Sequence, residues 1–225
     1  WQAPSILNPY LSSGTKDIES ASLVIEPLGR YTETGALVPF LAEEIPTVAN
    51  GGVSADLTTI TWKLQKGLLW SDGTPVTSAD VKFSADYCMD PDGGCSQLAK
   101  FDGVKSISTP DELTVVVTFK GPMPNPYGPF MGGQTPIIQK AQFENCMGSK
   151  AQQCTEQNFN PIGTGPFVVT EFRPNDVIQY KANENYRDPS KPAFATLTFK
   201  GGGDATAAGR SVLETGEFDY AWNLQ

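Results

Sequence analysis

Pro122, Pro124, Pro126, Pro129 and Pro136 forbid a long helix from residue 122 until after Ile138, because proline lacks the amide a helix interior needs and its ring clashes with the preceding turn. The middle of the chain is therefore read as extended connection, and regular elements are sought on either side of it. Upstream, the β-branched residues and Trp62 of Thr58 to Leu64 indicate a strand, Lys66-Gly67 opens a turn, and Ser71 to Pro75 is another. Thr77 or Ser78 caps a helix with Asp80 in its first turn and Val81, Phe83 and Ala85 as apolar positions. Val104 to Ser108 and Leu113 to Phe119 alternate as a hairpin around Pro110-Asp111-Glu112.

Further upstream, residues 1–16 read as the exit of a strand followed by a loop. Ile18, Ala21, Val24, Ile25 and Leu28 place one apolar helical face over Asp17 to Leu28, and Ala36 to Ile45 is a short apolar segment before the turn Asn50-Gly51-Gly52. Downstream, Gln139 to Cys146 predicts a short helix, and Phe167–Phe172 with Val177–Lys181 a strand pair. Phe194–Phe199 is a further strand. Gly201-Gly202-Gly203 leads into a helix capped by Asp204, with Ala205, Ala208, Val212 and Leu213 on its buried face and Gly216 at its end. Phe218 to Trp222 reads as a strand, making residues 194–223 a β-α-β unit with parallel strands.

Composition narrows the chemistry. The chain has 225 residues, 39% of them apolar, enough for one substantial core or two small ones. With 25 acidic against 16 basic side chains the net charge is −9, which disfavours nucleic acid or an anionic membrane as a partner. Such a surface keeps a protein soluble, and it also fits a receptor for neutral or cationic solutes. There is no histidine, so Ser/His and Cys/His nucleophile pairs and an imidazole base are excluded. No apolar run approaches the ~20 residues that cross a bilayer. The start at Trp1, without a signal-peptide pattern, and the stop at Gln225 read as cuts inside a larger protein.

Cys88 with Cys95 and Cys146 with Cys154 form two short-range pairs, the first around a Pro- and Gly-containing loop able to turn tightly. They favour two local disulfides, an oxidising compartment and about 2–3 kcal/mol of local bracing each. A metal site is the rival, without the Cys-x-x-Cys or histidine ligands that zinc usually takes.

Four motifs in order resemble the family 5 solute-binding proteins. The longest runs through Trp62, Leu64, Gly67 and Trp70 into Ser71-Asp72-Gly73-Thr74-Pro75-Val76-Thr77-Ser78-Ala79-Asp80-Val81 and Phe83. The others are Leu37 to Glu43, Asn160 to Phe167 followed by Asn183 to Tyr186, and Ala207 to Tyr220 with Gly216-Glu217-Phe218-Asp219. The resemblance implies an α/β (mixed α+β) fold, a periplasmic-binding-protein-like lobe of type II with an extra inserted subdomain. Residues 1–31 and 162–225 would form the lobe proper and 32–161 the insertion, the second lobe being absent. It further implies a monomeric, extracytoplasmic, non-enzymatic receptor without a cofactor, which captures short peptides and delivers them to an ABC permease in the membrane. An opine, an oligosaccharide or a metal chelate is the alternative cargo, and a ligand-sensing lobe of a signalling receptor the alternative role.

Ligands of open α/β sheets sit beyond the carboxyl ends of strands. That rule selects Ser12 to Asp17, including Thr15, Lys16 and Asp17, with helix capping by Thr15 or Asp17 as the plain alternative. It also selects Trp222-Asn223-Leu224-Gln225, where Trp222 is equally readable as core. Gly132-Gly133-Gln134-Thr135 is the third candidate, Gln134 offering both a donor and an acceptor to a peptide bond. Trp70 to Asp80 reads as scaffold. Gly163-Thr164-Gly165 lacks the Lys-Ser/Thr ending and the following helix of a phosphate loop.

Overall fold

The structure, a computed structural model, describes residues 3–201 and 204–221. Its element order is α1 (Thr15–Ala21), β1 (Gly29–Tyr31), β2 (Leu37–Pro39), β3 (Thr59–Lys63), α2 (Ser78–Met89), β4 (Val104–Asp111), β5 (Thr114–Phe119), α3 (Lys140–Phe143), α4 (Thr155–Phe159), β6 (Phe167–Arg173), β7 (Val177–Ala182), β8 (Thr196–Lys200) and α5 (Ala205–Arg210). Every named strand pairs antiparallel: β1 with β2, then β3-β5-β4, then β6-β7-β8. The fold is thus mixed α and β, built from small sheets with short helices between them.

The alternating sequence of β5 explains its place at the centre of its sheet. Val115, Val117 and Phe119 point into the core while the intervening residues are only partly covered, each buried side chain contributing roughly 1.5–3 kcal/mol. Helix α2 packs Val81, Phe83, Ala85 and Tyr87 into the same core. Its start is fixed by Asp80, whose Oδ2 accepts from the Thr77 amide at 2.9 Å and hydroxyl at 3.1 Å. Asp80 Oδ1 accepts from the amide of Lys140 at 2.9 Å, and Ser84 Oγ accepts from the amide of Ile138 at 2.9 Å, so the chain leaving the proline-rich stretch is bound to this helix.

The segment Leu23–Gly29 is where the rest of the chain converges. Its carbonyls accept from Phe167 (3.1 Å, at Leu23), Gly165 (2.7 Å, at Val24), Ile137 (2.9 Å, at Glu26), Leu41 (3.2 Å, at Pro27), Phe40 and Ala42 (2.8 and 3.0 Å, both at Leu28) and Gly132 (2.9 Å, at Gly29). The Leu28 amide donates to Phe130 O at 3.0 Å. Glu26 is 1% exposed, and its carboxylate is held by both guanidinium nitrogens of Arg187. Burial pushes the Glu26 carboxyl up, and Arg187 pulls it only part of the way back. Arg187 and Arg30 both lie over the ring of Phe40, their Cζ atoms 5.0 and 4.2 Å from its centroid.

These contacts account for the main difference from the sequence reading at the front of the chain. The helix expected over Asp17–Leu28 spans Thr15–Ala21 instead, and a turn follows, with the Val24 and Ile25 amides both donating to Ala21 O at 2.9 Å. Ala21, Val24, Ile25 and Leu28 are buried as their spacing required, but the carbonyls that would have continued the helix are taken by distant amides. Residues 3–14 contain a single 3-10 turn, Pro9–Leu11, and no strand.

The end of the chain departs further. Asp204 caps α5, accepting from Ala207 N at 2.8 Å, and Gly216 ends the helical run at φ +64°, both as the sequence indicated. The predicted buried face is not buried: Leu213 is 81% exposed and Val212 only half-covered. An apolar stripe needs a surface to pack on, and no element among the described residues supplies one. Phe218 to Ala221 form no strand, and β8 has β7 as its named partner, so the parallel β-α-β unit does not form among the described residues.

Replacing Arg187 by Met is expected to lower stability in urea by about 3 kcal/mol at neutral pH, the lower end of the range for stripping one partner from a buried pair, since Arg187 is itself 21% exposed. Glu26 without Arg187 moves further above its unfolded value, and stability then falls as pH rises through that interval. The deficit against the parent should therefore shrink on acidification toward about pH 5. A deficit independent of pH would show that Glu26 is not the group left unpaired.

Candidate functional site

The loop Ser12–Asp17 is organised around an inward-facing carboxylate. Gly14 is the residue before the helix and offers no side-chain cap, so Thr15 is the first helical residue and Asp17 lies in the first turn. Asp17 is 3% exposed and its oxygens are fully engaged. Oδ1 accepts from the Ser5 amide at 2.7 Å and Lys16 Nζ at 2.9 Å, and Oδ2 from Ser12 Oγ at 2.7 Å and Ser5 Oγ at 3.2 Å. Burial acts to raise this carboxyl, but the hydrogen bonds from Ser12, Ser5 and Lys16 outweigh it and hold it below the usual carboxylate range. Lys16 also donates to Ser5 Oγ at 2.8 Å and so turns back onto the loop. Ser13 and Thr15 are exposed. Among the sequence-selected residues here, Asp17 and Lys16 stiffen the loop, and Thr15 presents a hydroxyl outward.

The loop Gly132–Thr135 packs against the far end of α1. A Cβ on Gly133 would meet Ser22 Oγ at 2.4 Å and Ile18 Cγ2 at 3.2 Å, so a side chain there would require the Ser22 hydroxyl to move. Gln134 is exposed beside it, whereas Thr135 is buried with its hydroxyl donating to Met131 O at 3.3 Å. Two residues before this loop Phe130 holds φ +65°, a left-handed conformation rare for an aromatic residue, with its ring buried edge-on against Phe101 at 5.8 Å.

Tyr10 joins the two loops, and sequence reasoning missed it. It is wholly buried, and its hydroxyl donates to Pro136 O at 2.6 Å. Burial holds the phenol well above its usual range, so it stays a donor. The ring lies 5.9 Å from that of Tyr87 on α2. Asn8 adds bonds to Tyr87 Oη (3.1 Å) and Asn158 Oδ1 (2.9 Å), and the Leu7 amide donates to Asn158 O at 2.9 Å. A lone Tyr between Pro9 and Leu11 carries no pattern that distinguishes a structural joint from a surface aromatic.

Both cysteine pairs are bonded, Cys88 to Cys95 and Cys146 to Cys154. Gly163-Thr164-Gly165 is a chain crossing: a Cβ on Gly163 would lie 1.8 Å from Val24 O, and the Gly165 amide is already given to that carbonyl. The Trp70–Asp80 stretch is bonded to its neighbours as scaffold, with Trp70 buried, Asp72–Pro75 exposed, Ser71 N donating to Gly163 O at 2.8 Å, and Gln139 Nε2 bridging Asp72 Oδ2 (2.9 Å) and Thr74 Oγ1 (3.1 Å). Trp222, Asn223 and Gln225 lie outside the described residues. Among the described residues no group of three His, Cys, Asp or Glu side chains is placed to hold a metal, and no helix is long and apolar enough to cross a membrane.

Asp17→Asn puts an amide donor where only acceptors fit, and should cost about 1–3 kcal/mol at pH 7 by chemical denaturation. A carboxyl lowered in the folded state contributes its full stability above the unfolded value and loses it as pH falls through the folded one. The gap between variant and parent should therefore be flat down to about pH 4 and close only below it. A gap that closes already between about pH 7 and pH 5 would refute the assignment.

Known proteins share this architecture. The model of bacterial extracellular solute-binding proteins, family 5 Middle, matches residues 36–225. Protein XP55 of Streptomyces lividans is 31% identical over 219 residues, 97% of this chain and 37% of that protein. The oligopeptide-binding protein AppA from Bacillus subtilis, solved with a nonapeptide, aligns at TM-score 0.81 and 25% identity over 96% of this chain and 41% of that one. The PBP AgaA of A. tumefaciens R10, solved with agropinic acid, aligns at TM-score 0.78 and 26% identity over 93% and 40%. This chain thus spans 37% to 41% of the length of these three proteins. With the family match running from β2 through α5 and the relative covering nearly the whole sequence, the chain belongs to the family 5 bacterial extracellular solute-binding proteins.

Proposed function

We propose that this chain is the ligand-capturing lobe of an ABC importer's receptor, and that its cargo is a short peptide. The observation that carries the reading is the likeness, over almost the whole chain, to a protein solved with a nonapeptide. The local chemistry is compatible: exposed hydroxyls on Ser13 and Thr15 and the exposed amide of Gln134 offer the donors and acceptors that a peptide backbone needs. The mechanism is capture. The peptide docks on this surface, a second lobe closes over it and excludes water, and the closed form engages a permease outside the cytoplasm. No bond is made or broken in the cargo.

In this reading residues 1–31 and 162–225 form the lobe proper and 32–161 the inserted subdomain, with the receptor acting as a monomer. Thr15 and Gln134 are contacts, Lys16 and Asp17 set the shape of the loop, and Trp222, Asn223 and Gln225, outside the described residues, are the further proposed ligand contacts. AgaA, which has this fold with agropinic acid bound, makes an opine the competing cargo.

The test uses the intact natural protein. Mass spectrometry of solute released on denaturation, and of the fraction retained from an equimolar mixture of tri- to pentapeptides, should find peptide. Thr15→Ala combined with Gln134→Ala should lower retention about tenfold, the worth of roughly one net hydrogen bond, with an unchanged melting temperature because both side chains are exposed. Trp222→Ala with Asn223→Ala should act in the same direction. Release of an opine with no peptide retained would overturn the choice of cargo.

A further inference from the structure

We propose that Gln97, registered by the Cys88–Cys95 disulfide, is a positioning residue for the ligand loop Ser12–Asp17, so that the bridge sets ligand affinity as well as bracing its own loop. The proposal rests on the reading of Ser12–Asp17 as part of the ligand surface.

The residues just after Cys95 grip the turn that precedes that loop. Gln97 is buried, and its Nε2 donates to Ser12 O at 2.9 Å and Pro9 O at 3.3 Å. Ser96 N donates to Tyr10 O at 2.7 Å. Three carbonyls of one turn are thereby held by two consecutive residues. From there the order propagates through Ser12, whose Oγ accepts from the Gly14 amide at 3.0 Å and donates to Asp17 Oδ2 at 2.7 Å, and through Tyr10, whose hydroxyl holds Pro136 O.

What locates Gln97 is the bridge. The segment between the cysteines, Met-Asp-Pro-Asp-Gly-Gly, turns at Asp90, which accepts from Asp92 N at 3.0 Å and Gly93 N at 3.1 Å, and is exposed at Pro91, Asp92 and the left-handed Gly94 (φ +65°), so its bonds close the turn without tying it to Gln97. Cys88, by contrast, is fully buried in the last turns of α2, and Gln97 N lies 3.4 Å from Cys95 Sγ. The disulfide thus transfers the position of the core helix to Gln97 and, through it, to Ser12. The sequence offered the bridge as local bracing; the contacts beyond Cys95 extend its reach to a segment more than eighty residues away.

The test compares Cys88→Ser/Cys95→Ser and Gln97→Met in the intact natural protein, reading amide hydrogen exchange and retention of the tri- to pentapeptide mixture. Gln97→Met keeps both disulfides and a similar volume, so it remains informative if the double serine variant folds poorly. Amides of residues 10–17 should exchange about tenfold faster in both, with those of β5 and β7 unchanged, and retention should fall about tenfold. Combining the changes should add little further loss, because they interrupt one chain of contacts. Unchanged exchange at 10–17 in Gln97→Met overturns the positioning role whatever the ligand. Faster exchange with full peptide retention overturns instead the assignment of the loop to the ligand surface. If the parent retains no peptide, the cargo reading fails, and exchange alone still decides whether Gln97 positions the loop.

Discussion

The hydrogen bonding of Leu23–Gly29 is the constraint on which the remaining structure depends. Seven residues of nearly continuous apolar sequence accept amides from four later parts of the chain, at positions 40–42, 132, 137 and 165–167. Buried backbone must be paired, and a segment at the centre of a small-sheet fold cannot pair with itself without becoming a helix. Here it pairs outward, and each pairing fixes a connection that would otherwise be free. Glu26 adds a charged tie to Arg187 at the same place, so the crossing is held by main chain and side chain together.

That arrangement explains which parts of the fold could be read from the sequence. Strands β3 and β5, helix α2 and the β6–β7 pair form under their own patterning: alternation, a Thr77–Asp80 cap and a tight turn at Arg173–Asp176 are all local signals, and the structure follows them to within a residue or two. The two disulfides were legible for the same reason, since both close short loops. Leu23–Leu28 was misread because burial, and not helix formation, is what spaced apolar residues report. Ala21, Val24, Ile25 and Leu28 satisfy the core in either conformation, and the decision lies with amides more than a hundred residues away, at Ile137, Gly165 and Phe167. The stripe through Val212 and Leu213 failed in the opposite sense: the periodicity is present but has nothing to lie against among the described residues.

The candidate site was half legible. Polarity drew attention to Thr15, Lys16, Asp17 and Gln134, but polarity does not say which way a side chain faces. Asp17 turns inward because Ser5 and Ser12 flank it, while Thr15 and Gln134 turn outward. Tyr10 and Gln97 gave no signal, since Tyr10 bonds a carbonyl 126 residues away and Gln97 bonds two, 85 and 88 residues away. No local pattern encodes a bond of that range.

Three buried carboxylates show how an acidic chain uses charge internally. Asp80 binds two segments to the start of α2 through neutral donors, Asp17 collects hydroxyl, amide and ammonium donors, and Glu26 is held by the Arg187 guanidinium and the Tyr186 hydroxyl. Hydrogen bonds from Ser12, Ser5 and Lys16 hold the Asp17 carboxyl below its usual range, whereas burial holds that of Glu26 above it. The loop Ser12–Asp17 carries the lowered carboxyl and the crossing at Leu23–Gly29 the raised one. If Ser12–Asp17 contacts the ligand as proposed, its order is in place before binding and affinity is not reduced by the cost of freezing it.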